Sequence, residues 1–229
     1  MAATVKSEQT RRLLIDSALQ LFRTRGYGRT TMRSIADTAG VSVGNAYYYF
    51  RSKDELVAEL YRFLQDEHRS RALPLLREGH NLGEHLRVIL LANLDIMGPY
   101  HDFGAHFMRT VLPPSSASDD QSRHGRRGSA DAGVGRAKSI AMFRQAVTAS
   151  RPQPPLAIRD DLPELLWLAH MGVMLFWIHD RSPGQRRTRR LVHNAAPLAA
   201  KLVILSRLPV VRNIVEDVVH LFQGARRDD

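Results

Sequence analysis

The feature that most constrains this chain is a glycine stop between two short amphipathic helices in residues 31–53, TMRSIADTAGVSVGNAYYYFRSK. Met32, Ile35, Ala36 and Ala39 recur at i, i+3, i+4 and i+7, which predicts a short helix with one apolar stripe and Thr31 as its N-cap. Gly40 ends that helix, because the position just past a helix end often takes the left-handed conformation, where glycine has no Cβ to clash. Val41 then returns to the core. Ser42 caps a second helix in which Ala46, Tyr47 and Phe50 fall on the Val43 face, while Asn45, Tyr48 and Tyr49 project elsewhere. Ser52 with Glu55 three positions on forms a capping box, so a third helix departs directly after Phe50 and Arg51, with Glu55 expected to reach back to the cap amide.

Two helices joined by a short glycine turn are either an ordinary helical hairpin or a helix-turn-helix that places its second helix in the DNA major groove. The chemistry of the second helix favours DNA. It carries few acids and is crowded with groups that suit phosphates and base edges: Ser42, Asn45, three tyrosines, then Arg51 and Lys53. Gly44, near its start, lets the backbone approach a ligand closely. The stretch TTMRSIADTAGVSVGNAYYYFRSKDELV resembles the signature of the tetracycline-repressor (TetR) family of bacterial regulators, with its Ile-Ala pair, Ala-Gly-Val-Ser turn and Tyr-x-x-Phe before a Lys. The resemblance covers about residues 8–61 and includes a helix upstream of the motif.

From their places on the second helix, Val43, Gly44, Asn45 and Tyr47 are expected to reach base edges, with Ser42 capping beside them. Thr31, Tyr48, Arg51 and Lys53 are expected on phosphates, and the resemblance adds Thr10, Arg11 and Arg12 as backbone contacts whose alternative is plain solvation. Charge agrees with a polyanionic partner. The chain carries +10, and residues 1–53 hold nine Lys or Arg against three acids, a net +6 that leaves only +4 to the other 176 residues.

The upstream helix is predicted over residues 8–25, with Leu14, Ala18, Leu21 and Phe22 as its buried stripe and Gly26 with Gly28 ending it. A long helix over 52–77, with an apolar face of Leu56, Leu60, Phe63 and Leu64, leaves the head as a lever. Residues 86–97 read as another buried helix, broken by Gly98 and Pro99. The following YHDFGAHFMRTVLPP is ambiguous between a helix and a turn-rich segment. Residues 113–133 contain no Val, Ile, Leu, Met, Phe, Trp or Tyr in 21 positions, so apolar burial cannot offset the entropy of ordering them and a mobile loop is expected.

Helical periodicity resumes over 134–150 and stops at the proline-rich RPQPP. Residues 162–180 form the most apolar helix, hydrophobic nearly all round, which demands cover on most sides. A basic helix follows from Gly184, turns apolar over 195–205, and a last helix is expected over 210–222. The longest near-continuous apolar run, 165–178, has 14 residues, too short for a bilayer. With no signal peptide pattern and no cysteine, a cytoplasmic protein with no membrane partner is expected.

No Walker loop, dinucleotide fingerprint, His-Glu-x-x-His or nucleophile elbow is present. No two of the ten histidines stand at i, i+4, so buried, hydrogen-bonded histidines are favoured over a metal site, and no cofactor is expected. Phe103, Phe107 and Trp167, with His170, Met171, Met174 and Trp177, mix aromatic, thioether and imidazole groups. They are either ordinary core or the lining of a site for an apolar ligand with one or two polar handles.

The expected architecture is all-α: a three-helix helix-turn-helix head over residues 1–53 and a larger helical effector-binding and dimerisation body over 54–229. The resemblance implies a homodimer on a palindromic double-stranded operator, released by a small molecule and held together by the last helices as a four-helix bundle. Which of the final two helices contributes, and whether binding represses or activates, stays open. A nucleoid-type DNA binder would explain the charge but not the separate body. A helical enzyme with a DNA-binding head would need a catalytic constellation that the sequence does not offer.

Overall fold

The computed structural model describes residues 2–105 and 123–206, all of whose regular elements are helical. Phe107, the Phe103 side chain, residues 113–122 of the expected loop and the expected helix 210–222 lie outside the described residues. Among the described residues nine α-helices follow in order: α1 Ala2–Arg25, α2 Met32–Ala39, α3 Val43–Tyr49, α4 Lys53–Ala72, α5 Leu82–Met97, α6 Arg123–Ala149, α7 Leu156–Arg159, α8 Leu162–His179 and α9 Arg186–Leu205. Short 3₁₀ segments stand at Leu73–Leu75, Gly98–Phe103 and Pro183–Gln185. By compactness the chain parts into Met1–Asp66 with Met97–Arg136, and Glu67–Ile96 with Ala137–Asp229, the division falling within α4.

In the first unit α1 packs on α2 and on the 3₁₀ segment Gly98–Phe103, and α2 packs on α3. The predicted stripes form its core: Leu14, Ala18, Leu21 and Phe22 from α1, Ile35, Ala36 and Ala39 from α2, then Ala46, Phe50, Leu56 and Leu60. Phe63 departs from expectation. It is partly exposed, and the Arg12 guanidinium lies 4.5 Å from its ring centroid, so a cation covers what the periodicity assigned to the core. Gly135 of α6 permits a close approach to α4, since a Cβ there would sit 2.7 Å from the Tyr61 ring. Burial pushes the Tyr61 hydroxyl up to about 12.

The expected mobile loop 113–133 is cut short from its far end, because α6 begins at Arg123. Once a helix is nucleated by the apolar turns after residue 134, each added residue gains a hydrogen bond without a new nucleus. The apolar count of 123–133 missed this propagation.

In the second unit the core is built from Leu86, Ile89 and Leu94 of α5, Met142, Phe143 and Ala146 of α6, and the inward face of α8. Asn81 and Glu84 cap α5 reciprocally, at 3.0 and 2.7 Å. Gly83 allows α5 to meet α9: an added Cβ would lie 3.1 Å from the Pro197 Cα. The corner between α8 and α9 is pinned by Asp180, which accepts from the amide and hydroxyl of Ser182 and from both groups of Thr188 at 2.6–2.9 Å. Burial pushes this carboxyl up, but the hydrogen bonds from Ser182 and Thr188 outweigh it and hold the group well below the usual carboxylate range.

α8 reaches 18 residues, long and apolar enough to cross a bilayer by length and composition, whereas the uninterrupted apolar run suggested a shorter segment. Its Leu166, Trp167, His170, Met174 and Trp177 are buried in protein core.

Candidate nucleic-acid interface

The turn between α2 and α3 is fixed by local hydrogen bonds. Thr31 Oγ1 accepts from the Ser34 amide at 3.1 Å while Ser34 Oγ accepts from the Thr31 amide at 3.0 Å, a capping box closed by serine. At the other end Gly40 is left-handed (φ 68°), its amide bonds Asp37 O at 3.2 Å, and the Val41 amide bonds Ala36 O at 3.0 Å. This is the Schellman arrangement, which satisfies carbonyls that the helix end would orphan. Val41 returns only partly, ending half-buried.

Ser42 Oγ accepts from the Asn45 amide at 3.1 Å and starts α3. Ala46 and Phe50 anchor the helix in the core, and its remaining surface carries exposed Ser42, Gly44, Asn45 and Tyr47, with Tyr48 81 % exposed and half-buried Val43. Tyr47 sits with the exposed set, not in the Ala46 stripe. The structure thus brings Ser42, Val43, Gly44, Asn45, Tyr47 and Tyr48 onto one short helix, with exposed Thr31 capping α2 before it and exposed Arg51 following.

Lys53 has a further role. Its ammonium donates to Tyr27 O at 2.9 Å and Thr30 O at 2.6 Å, and lies 4.2 Å from the Tyr27 ring centroid. It clamps the α1–α2 loop to the start of α4, leaving one N–H for any other acceptor. The Tyr27 hydroxyl donates to Asp54 Oδ1 at 2.5 Å, and burial followed by this bond raises it well above the usual phenol range. Glu55 accepts from the Arg51 amide at 2.8 Å, one residue beyond the expected cap amide, while Ser52 Oγ accepts from the Glu55 amide at 3.1 Å. Arg11 is not simply solvated: it bonds the Glu59 carboxylate through Nε and Nη2, at 3.3 and 2.9 Å, and stacks over Phe50 at 4.9 Å.

Of the second set of candidates, Phe103 falls in the first unit and the α8 residues in the second, while Phe107 lies outside the described residues. Trp167, His170, Met171, Met174 and Trp177 are all buried on α8. Two residues that sequence reasoning missed join them. Asn93 of α5 donates from Nδ2 to His170 Nε2 at 2.9 Å and to Met174 Sδ at 3.1 Å, and His68 of α4 has its ring 6.3 Å from that of His170. Their signal was a polar residue at an apolar helical position, Leu60, Leu64, His68 and Ile89, Asn93. A surface depression of about 550 Å³ lined by Asp16, Leu19, Gln20, Arg23 and Thr24 contains none of the candidates.

A helix-turn-helix with a cationic flank, followed by a helical body, is the arrangement of a DNA-binding protein that reads the major groove. The family model for bacterial regulatory proteins of the tetR family matches residues 14–60, and that for the tetracyclin repressor-like C-terminal domain matches residues 85–221. The chain belongs to the tetracycline-repressor family.

It is 34% identical over 88 residues to the HTH-type transcriptional repressor KstR2 of Mycobacterium tuberculosis, covering 38% of this chain and 44% of that one. It is 40% identical over 63 residues to the HTH-type transcriptional regulator TtgR of Pseudomonas putida, covering 28% and 30%. The matched part is thus less than half the length of these relatives. A TetR-family regulator of Streptomyces coelicolor superposes with a TM-score of 0.59 at 22% identity, covering 92% of this chain and 90% of that one. One from Nitrosomonas europaea gives 0.58 at 20%, covering 83% and 97%. At those identities the structures speak to the fold alone. The named relatives are transcriptional regulators, and none is an enzyme.

Proposed function

We propose that this chain is a cytoplasmic repressor that binds a palindromic operator as a homodimer and is released by a small apolar or aromatic effector. The observation that carries the reading is α3: a short helix held by Ala46 and Phe50 whose outward groups are hydrogen-bonding side chains without an acid among them. Val43, Gly44, Asn45 and Tyr47 read bases. Thr31, Tyr48, Arg51 and Lys53 position the head on phosphates. The relatives named as repressors support the direction of regulation.

Dimerisation is supported by apolar rows with no cover within the described chain. Leu191, Leu198, Leu202 and Leu205 are exposed on α9 at i, i+7, i+11 and i+14, and Leu175 and Phe176 are exposed on α8. A second copy covers such rows in a four-helix bundle, and its two-fold axis sets two recognition helices roughly 34–36 Å apart, or a multiple of that. Effector binding is supported by the buried α8 set of Trp167, His170, Met171, Met174 and Trp177.

The test is selection of bound sites from random double-stranded DNA by the full chain. A palindromic consensus is expected. Recovery without enrichment of any sequence points to a nucleoid-type binder and removes the operator from the reading.

A further inference from the structure

Two buried imidazoles in the second unit each leave one nitrogen without a hydrogen bond, and their protonation can be read from their neighbours. His68 Nε2 is 2.8 Å from Ile89 O. A carbonyl only accepts, so the proton is on Nε2 and Nδ1 presents a lone pair. For His170 the neighbour is the Asn93 amide, whose nitrogen contacts both His170 Nε2 and Met174 Sδ. A thioether also only accepts, which fixes Nδ2 and not Oδ1 on that side. His170 Nε2 therefore accepts, and its proton is on Nδ1. Neither Nδ1 has a hydrogen-bond partner, and the residues are 0 % and 2 % exposed.

The result is one orphaned acceptor and one orphaned donor on rings whose centroids are 6.3 Å apart. At that ring separation one small polar group can bridge the two imidazoles. Functional groups differ in whether they can satisfy both. A carboxylate or ketone oxygen only accepts and leaves the His68 lone pair facing it; an ammonium only donates and opposes the His170 N–H. A hydroxyl does both.

We propose that the effector is a neutral apolar molecule carrying one hydroxyl, whose O–H donates to His68 Nδ1 and whose oxygen accepts from His170 Nδ1–H. This deepens the effector reading above and rests on it. Burial holds both rings neutral, with His68 pushed down to about 4 and His170 to about 3, so the site offers no imidazolium to an anionic ligand. The surroundings suit an apolar frame: Phe143 packs edge-on to His170 at 5.8 Å, and Trp167 and Met174 flank it on the same face of α8. His68 belongs to α4, whose first turn Lys53 clamps to the α1–α2 loop.

The test uses the full-length protein and three probes on one frame: 2-naphthol, naphthalene and 2-naphthoate, titrated by calorimetry. 2-Naphthol is expected to bind about 10-fold more tightly than either of the others, the worth of an additional satisfied buried pair. The preference is expected to vanish in His68→Phe and in His170→Phe. Since both substitutions alter buried rings, ¹⁵N-histidine NMR on the parent protein supplies a readout independent of folding: the His68 Nδ1 resonance shifts with 2-naphthol and stays in place with naphthalene. Equal or tighter binding of 2-naphthoate, a preference that survives in a folded His68→Phe, an unmoved His68 resonance, or no binding by any probe up to its solubility overturns the proposal. Operator binding followed by anisotropy separates this from the effector reading. If 2-naphthoate binds best and releases DNA, the hydroxyl site falls and the effector-released repressor stands; if 2-naphthol binds as expected and DNA is retained, the reverse holds.

Discussion

The helix-turn-helix and the core around α8 are both packed by amphipathic helices, yet opposite kinds of polar contact hold them. Within the helix-turn-helix itself the bonds that shape the turn and the helix starts join residues three to five apart: Thr31 with Ser34, Gly40 with Asp37, Val41 with Ala36, Ser42 with Asn45, Arg51 with Glu55. In the body they join residues 21 to 77 apart, His68 with Ile89 and Asn93 with His170. Local bonds give a recognition helix whose shape is set by its own few residues. Distant ones give a core whose protonation and hydrogen bonding depend on several helices at once.

Five perturbations separate the two regions. The largest effect is expected from Phe50→Ala, which empties a fully buried position under α3 and costs about 3–5 kcal/mol. Chemical denaturation followed by circular dichroism, with DNA binding lost in parallel, checks it; a small cost would mean that the head is not organised on this ring.

The second is pH. His68 and His170 have folded values, about 4 and about 3, below the unfolded value near 6.5. The unfolded chain therefore binds protons first as pH falls, so the stability present above pH 6.5 is lost on acidification through the folded values. By pH 5 the loss is on the order of 2 kcal/mol per histidine. Asp180 is silent in that window, because its depressed carboxyl stays ionised in both states until lower pH. Urea midpoints at pH 7.5 and pH 5 measure the slope, and His170→Phe should flatten it.

Third, Asn45→Ala should cost about 1–3 kcal/mol at the base pairs that Asn45 touches and little elsewhere. Indistinguishable binding to every operator variant would reduce Asn45 to a residue of the helix start. Fourth, Lys53→Ala releases two carbonyls of the α1–α2 loop, with an expected loss of about 1–2 kcal/mol in head stability. If its remaining N–H also meets a phosphate, log K against log salt flattens by about one unit; an unchanged slope with lower stability leaves Lys53 a loop clamp only. The smallest effect has two signs. Gly44 lies in α3 with open space where a Cβ would stand, so Gly44→Ala should stabilise the free protein by about 0.5–1 kcal/mol while weakening DNA binding. A variant that gains stability and keeps full affinity would show that DNA does not approach this backbone.

The same contrast explains what could be read in advance. Thr31, Gly40, Ser42 and Ser52 were legible because caps and stops depend on neighbours a few residues away. The buried stripes were legible because their period is local too. His68 and Asn93 were not, since each is one polar residue on an apolar face and acquires meaning only from a partner on another helix. Phe63 misled for a related reason: periodicity assigns a face, and Arg12, 51 positions earlier, decides what covers it. The start of α6 at Arg123 escaped an apolar count because extending an existing helix needs no apolar contact.

The joint between α3 and α4 has a mechanical meaning. Of the three residues that connect them, the Phe50 amide is bonded to Ala46 O and the Arg51 amide to Glu55, so the connection has no slack and works as an elbow. α4 beyond it has 20 residues, an arm of about 30 Å. A tilt of roughly 5° over an arm of that length displaces the far end by about 2.6 Å, comparable to the whole length of a hydrogen bond.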